Sequence, residues 1–178
     1  GGTFTVVFTG NIGTAQGLEI LPQTAALLKE DDPRAGEWTA PVCFVIVGDG
    51  RSRAAFEAEI RRLGVEEQFL LIERQPAEAI PAILACCDAA FLSFMDTPLF
   101  EKTIPAKLQS YMACAMPILA AAGGETERII RDAGCGVCTP TGDSEGLAES
   151  IRDWQQRSAR HPEILREMGE RGRAITIL

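Results

Sequence analysis

The chain has 178 residues, 46% hydrophobic and 24% charged, with a formal net charge of −8; that is one soluble domain, long enough to bury about two thirds of its unfolded surface. The acidic balance argues against a nucleic-acid binder or a surface held electrostatically on anionic lipid, so an anionic ligand needs a local basic site. Lysine is scarce: Lys29, Lys102 and Lys107 are the only three, and the other 14 basic residues are arginines. The uncharged run Leu108 to Gly124 carries Gln109, Ser110, Tyr111, Pro117 and two glycines, and falls short of the roughly 20 apolar residues of a spanning helix.

Taken in chain order, short apolar runs alternate with amphipathic stretches, the signature of a parallel sheet covered by helices on both faces. Strands are predicted at Phe4 to Thr9, Val42 to Val47, Phe69 to Ile72, Ala89 to Phe94, Ile118 to Ala121 and Val137 to Cys138. Helices are predicted at Leu18 to Lys29, Arg51 to Leu63, Ala77 to Cys86, Pro105 to Ala113, Glu125 to Asp132, Ser144 to Arg157 and Pro162 to Arg173. Gly64 ends the second helix, Ser144 is placed to cap the sixth, and Pro162 suits the first turn of the seventh. The fold class read from this is α/β: a single doubly wound, Rossmann-like domain with a mostly parallel six-stranded sheet and helices on both faces. Glu30 to Ala40 is its one long polar loop, and Gly1-Gly2 running straight into a strand reads as the cut edge of something longer.

The six cysteines, Cys43, Cys86, Cys87, Cys114, Cys135 and Cys138, sit mainly among apolar residues and read as buried free thiols of a cytosolic protein. Cys135-Gly-Val-Cys138 has the spacing of half a zinc site, but no second pair exists and His161 is the only histidine; no metal is expected.

In a doubly wound sheet, ligands lie outside the carboxyl ends of the strands. The first loop, Gly10-Asn11-Ile12-Gly13-Thr14-Ala15-Gln16-Gly17, lets backbone approach an anion, or else is a tight turn with no ligand. Gly48-Asp49-Gly50 lacks the third glycine of a dinucleotide fingerprint and reads as a turn with an N-capping aspartate or serine. The third candidate runs from Phe100 to Ala113. Pro105 fixes a helix start, and Lys107 sits one turn in, where a lysine opposes the helix dipole; such a mismatch is expected at an anion site, the alternative being a solvated lysine. Gly123-Gly124-Glu125-Thr126 makes another glycine-lined helix start on the same edge, and together these loops suit a diphosphate.

The ordered set Phe8-Thr9-Gly10-Asn11-Ile12-Gly13 with Gln16-Gly17, Val45-Ile46-Val47-Gly48-Asp49-Gly50, Ile80-Pro81, Cys87-Asp88-Ala89, Ile104-Pro105-Ala106-Lys107-Leu108-Gln109-Ser110-Tyr111-Met112-Ala113 through Pro117-Ile118-Leu119, and Gly142-Asp143 before Leu147-Ala148 resembles the C-terminal, donor-binding domain of retaining glycosyltransferases of family 4, which have the two-domain GT-B fold. The resemblance covers nearly the whole chain, residues 1 to 178. It implies a nucleotide-diphosphate sugar, a UDP-sugar, as donor and partner, with the acceptor held mainly by an N-terminal domain that this chain lacks. It implies surface polysaccharide or glycolipid synthesis, a lipid-linked acceptor, and a cytoplasmic enzyme peripheral to the inner face of the membrane. By the same resemblance Gly10, Asn11 and Gly13 lie against the diphosphate or sugar and Lys107 neutralises the diphosphate. Glu101 or Lys102 faces the sugar hydroxyls, and Arg74 and Gln75 border the base. Gln16, Ile104, Pro105, Leu108 and Ser110 complete the substrate-binding set; no catalytic residue is assigned, and neither metal nor cofactor is implied.

Two departures stand out. Lys102 and Ser110 replace a pair of glutamates that many relatives carry eight positions apart, which resembles a Pro-x-Lys-x-Gln-x-Tyr subgroup acting on acetamido sugars, and Gln16 stands where others have lysine. The alternatives are a UDP-sugar 2-epimerase-like half-domain, which wants histidines the chain lacks; a receiver-type domain, which wants paired acids after the first strand where Thr9 and Asn11 stand; and a relative that binds nucleotide without turnover.

Overall fold

Runs of β-branched and aromatic residues, apolar on both of their alternating faces, form the strands, as expected where a sheet is covered on both sides. The computed structural model describes residues 2–30, 41–95 and 104–176. Its strands are β1 (Phe4–Thr9), β2 (Val42–Val47), β3 (Phe69–Ile72), β4 (Ala89–Ser93), β5 (Ile118–Ala121) and β6 (Gly136–Thr139). They join in the order β3-β2-β1-β4-β5-β6, and every neighbouring pair is parallel. Four strands match their predicted limits residue for residue; β4 stops one residue early, and β6 extends by one at each end.

The helices are α1 (Ile20–Glu30), α2 (Arg53–Arg62), α3 (Ile80–Ala85), α4 (Ala106–Ala113), α5 (Gly124–Ala133), α6 (Ser144–Arg160) and α7 (Glu163–Thr176). The start predicted at Leu18 moves to Ile20 because a 3₁₀ turn, Thr14–Gln16, comes first and Gly17 closes it at φ 55°. The stretch predicted as helix from Ala77 begins as a 3₁₀ turn, Ala77–Ala79, with Pro81 then in the first turn of α3. Ser144 does not cap α6; Asp143 does, its carboxylate accepting the Gly146 N–H at 2.9 Å. Of the polar loop predicted from Glu30 to Ala40, Glu30 ends α1 and residues 31–40 lie outside the described residues.

Side-chain alternation splits the core across the sheet. Phe4, Val6 and Phe8 of β1 face one layer with Phe44 and Ile46, covered by Leu21 of α1, Phe56 and Ile60 of α2, and Leu147, Ile151 and Trp154 of α6. Val7, Val45, Ala90, Leu92 and Ile118 face the other, covered by Leu84 of α3, Leu108, Tyr111 and Met112 of α4, and Ile130 of α5. The six cysteines are free, but only Cys135 is fully buried and Cys86 is exposed, which corrects the expectation that all are core thiols: Cys86 sits at the C-terminal cap of α3, on the solvent side.

The strand order reverses between β1 and β4. Their pairing covers only Val6↔Ala89 and Val7↔Ala90, so the carboxyl end of β1 opens away from β4, and the crevice that a doubly wound sheet offers to ligands lies there.

Candidate functional site

Four loops meet at this edge, and glycines let them close on one another. Gly48, at φ 149°, faces the backbone of Gly10, and a β-carbon at either Gly48 or Gly50 would strike the first loop, at Gly10 O and Ile12 O respectively. Backbone hydrogen bonds hold the contact: Gly10 N–H to Val47 O at 2.9 Å, Ile12 N–H to Asp49 O at 2.9 Å, and Ser52 N–H to Ile12 O at 2.9 Å. The glycines of Gly48-Asp49-Gly50 therefore serve loop-to-loop packing. Asp49 folds onto the next residue, accepting the Gly50 N–H at 2.8 Å, and Ser52 occupies the N-cap of α2 without a side-chain capping bond, its hydroxyl 3.5 Å from Thr14 Oγ1. The predicted capping by side chain is absent because the Asp49 carboxylate is engaged on Gly50 and the Ser52 hydroxyl on Thr14 of the first loop.

Lys107 is the centre of the site. It is the second residue of α4, entered through Pro105 at φ −65°, and its side chain is half-buried. The ammonium Nζ lies 3.8 Å from the centroid of the Phe8 ring, a cation–π contact. It fills the space a side chain at Gly10 would need, since a β-carbon there would stand 2.9 Å from Nζ. Gly10 has φ 131°, so it supplies both the backbone geometry and the room. No carboxylate pairs with Lys107 among the described residues, and burial pushes its pKa down to about 8. A buried ammonium with no counter-charge, at the positive end of a helix, adds its charge to the first-turn N–H groups and makes a strong anion locus.

The other predicted residues are placed unequally. Asn11 is exposed beside Gly13 and Gly50. Gly13 donates its N–H to Gln16 Oε1 at 3.1 Å, so Gln16 is folded back on the loop that was expected to cradle phosphate. Ile104 is exposed and Pro105 is the N-cap of α4. Leu108 is fully buried in the core beneath the sheet, and its N–H is bonded to Pro105 O at 3.1 Å; it leaves neither side chain nor N–H for a ligand, and its part is packing. Ser110 is exposed with its hydroxyl donating to Ala106 O at 3.1 Å. Arg74 is exposed and Gln75 donates to Glu73 O at 3.0 Å. Both follow β3, two strands from β1, hence about 10 Å away at ordinary strand spacing. Glu101 and Lys102 lie outside the described residues.

Sequence reasoning missed two contributors. Arg53 donates to Gly48 O at 3.1 Å and pairs with Glu57 at 2.9 Å and Glu73 at 3.8 Å, tying the second and third loops together. Tyr111, the only tyrosine, has a fully buried hydroxyl that accepts the Thr9 N–H at 3.1 Å. Its signal was available: a phenol one turn after Lys107 on an otherwise apolar helix face needs a polar partner. The 3₁₀ turn is also tied to β4, with Ser93 Oγ donating to Gln16 O and Met95 N–H to Ala15 O at 2.9 Å.

A family model described as glycosyl transferases group 1 matches residues 1–174. The chain belongs to that family. It is 26% identical over 150 residues to a D-inositol 3-phosphate glycosyltransferase of Salinispora tropica, covering 83% of this chain and 30% of that protein. Among solved structures it resembles Anabaena Alr3699/HepE in complex with UDP, with TM-score 0.76 and 21% identity over 98% of this chain and 44% of that one. It also resembles the C-terminal domain of a glycosyl transferase group 1 family protein, LpcC, from Francisella tularensis, with TM-score 0.69 and 16% identity over 98% of this chain and 84% of that one. The Rossmann-like fold and the resemblance to GT-B glycosyltransferases are borne out. The chain spans less than a third of the length of the Salinispora relative.

Proposed function

We propose that this chain is the donor-binding, C-terminal domain of a retaining hexosyltransferase and that its ligand is a UDP-sugar. The observation that carries the reading is Lys107: a half-buried ammonium without a carboxylate partner among the described residues, set against Gly10 at the strand-order reversal. The Anabaena protein of like fold holds UDP, which supports a nucleotide donor. The diphosphate lies over the α4 N-terminus with Lys107 as its counter-charge, and the base lies toward Arg74 and Gln75 on the β3 side.

Departure of a nucleoside diphosphate leaves negative charge on the phosphate oxygens. A cation and aligned N–H donors that grip those oxygens harder as the glycosidic bond breaks accelerate that step. Lys107 supplies this charge, so the reading requires no divalent metal. The acceptor, lipid-linked in this reading, is held by an N-terminal domain at the inner face of the membrane, in surface polysaccharide or glycolipid assembly.

Thermal unfolding in the presence of UDP, UDP-glucose, UDP-N-acetylglucosamine and GDP tests the donor claim. UDP at about 100 times its Kd raises the midpoint by about 5 °C or more, and Lys107→Ala removes most of that shift. No response of the wild-type chain to any of the four ligands overturns the reading.

A further inference from the structure

In β1, residues Thr5, Val7 and Thr9 point their backbone groups toward β4: Thr5 O accepts the Asp88 N–H at 2.9 Å, and Val7 pairs with Ala90. Beyond that pair β4 continues beside β5, and Thr9 is left facing the gap. The Thr9 N–H donates instead to the Tyr111 hydroxyl at 3.1 Å, with Thr9 Oγ1 3.5 Å from the same oxygen. Tyr111 thus stands in for a missing strand carbonyl at the point where the sheet opens. Thr9 lies between Phe8, whose ring the Lys107 ammonium covers, and Gly10, whose missing side chain the ammonium occupies. Tyr111 and Lys107 lie four residues apart on α4, on one face of the helix.

We propose that Tyr111 is a positioning residue: its hydroxyl fixes the end of β1 to α4 and thereby holds the Lys107 ammonium at the crevice. Its effect on donor binding rests on the donor-site reading above; its effect on Lys107 does not. Leu108 and Met112 also anchor α4 in the core, so the ring can stay packed when the hydroxyl is lost. A merely structural Tyr111 would lower stability and leave Lys107 and ligand selectivity unchanged. The titratable groups around the ammonium are few: the Tyr111 phenol on its own helix, which burial pushes up to about 12 and keeps neutral, and no paired carboxylate among the described residues of the other elements.

The test uses Tyr111→Phe in the 178-residue chain. The three lysines carry ¹³C-methyl labels read by NMR against pH, and Lys107 is assigned with Lys107→Arg. The expected result is a Lys107 midpoint that rises from about 8 toward that of an ordinary lysine, with Lys29 and Lys102 unmoved. Calorimetry then gives a loss of about fivefold in UDP affinity, the size of one hydrogen bond, with uridine affinity unchanged and no further UDP loss when Tyr111→Phe is added to Lys107→Ala. If Phe at position 111 leaves the chain unfolded, 4-fluorophenylalanine there fills the hydroxyl's space and carries the same readouts. A folded variant that binds UDP but leaves the Lys107 midpoint unmoved overturns the positioning role and spares the donor reading. A wild-type chain that binds no nucleotide, yet shows the Tyr111-dependent midpoint, overturns the donor reading and leaves the positioning role standing.

Discussion

In the proposed reading, Lys107 turns a cost of folding into a binding device. Its folded pKa of about 8 lies below the ordinary 10.5, so between those values the unfolded chain binds more protons and stability rises with pH. The charged ammonium is therefore a liability of the free protein at neutral pH, and a diphosphate beside it reverses the sign by favouring the charged form. Affinity for UDP is then steady from pH 7 to about 8 and falls by up to about tenfold per unit above it. Calorimetry at pH 9 in two buffers of different ionisation enthalpy shows proton uptake on binding, and both effects vanish in Lys107→Ala. A flat affinity up to pH 10 in the wild type would contradict this account. At this scale the sequence was readable where a residue broke a local rule, as Lys107 does at a helix start. It was not readable where a short turn closes on itself, since the hydrophobic period does not register that Gln16 returns to Gly13 or that the Leu108 N–H bonds Pro105 O, each three residues back.

Elements were legible wherever period and punctuation agreed. The apolar runs of β1 and β2 are flanked by turn residues, and their limits follow from sequence alone. The ends of α1 and α3 were displaced by 3₁₀ turns whose i→i+3 bonds leave no signature in the hydrophobic period. α7 holds a subtler feature. Gly169 and Gly172 lie in its interior, where glycine normally costs about 1 kcal/mol relative to alanine, and propensity alone would recommend replacing them. Packing reverses that advice, because a β-carbon at Gly169 would collide with Ala115 O, in the turn between α4 and β5, and one at Gly172 would stand 2.9 Å from Cys135 Cβ. Ala115 itself has φ 55°, so the turn has little room to yield. Gly169→Ala is expected to destabilise the chain by about 2 kcal/mol, as overpacking does, seen as a lower urea midpoint at unchanged m-value; a raised midpoint would show that helix propensity wins.

For the whole molecule, the strand order places the candidate ligand groups on one edge of one sheet, which the proposed reading takes as the donor side of a cleft. Loops one to three are bound to each other through Gly10, Gly48 and Arg53, while the β1–β4 crevice is bridged by Tyr111 and by the Ser93 and Met95 contacts to the 3₁₀ turn. The layer order was legible from alternation. The separation of Arg74 and Gln75 from the Gly10 loop by two strands was not, because it depends on which strands pair. A rigid, one-sided surface can hold a nucleotide, but glycosyl transfer also needs an acceptor oriented within about 3–3.5 Å of the sugar carbon and water kept out. The chain alone is therefore expected to bind UDP while transferring no sugar, and to release sugar from UDP-glucose no faster than buffer does, followed by UDP production over hours. Transfer to any acceptor by these 178 residues would place the acceptor site on this sheet edge and refute the two-domain account. Binding without turnover, restored to transfer when an N-terminal domain of a family member is fused before Gly1, would assign the missing wall of the cleft to that domain.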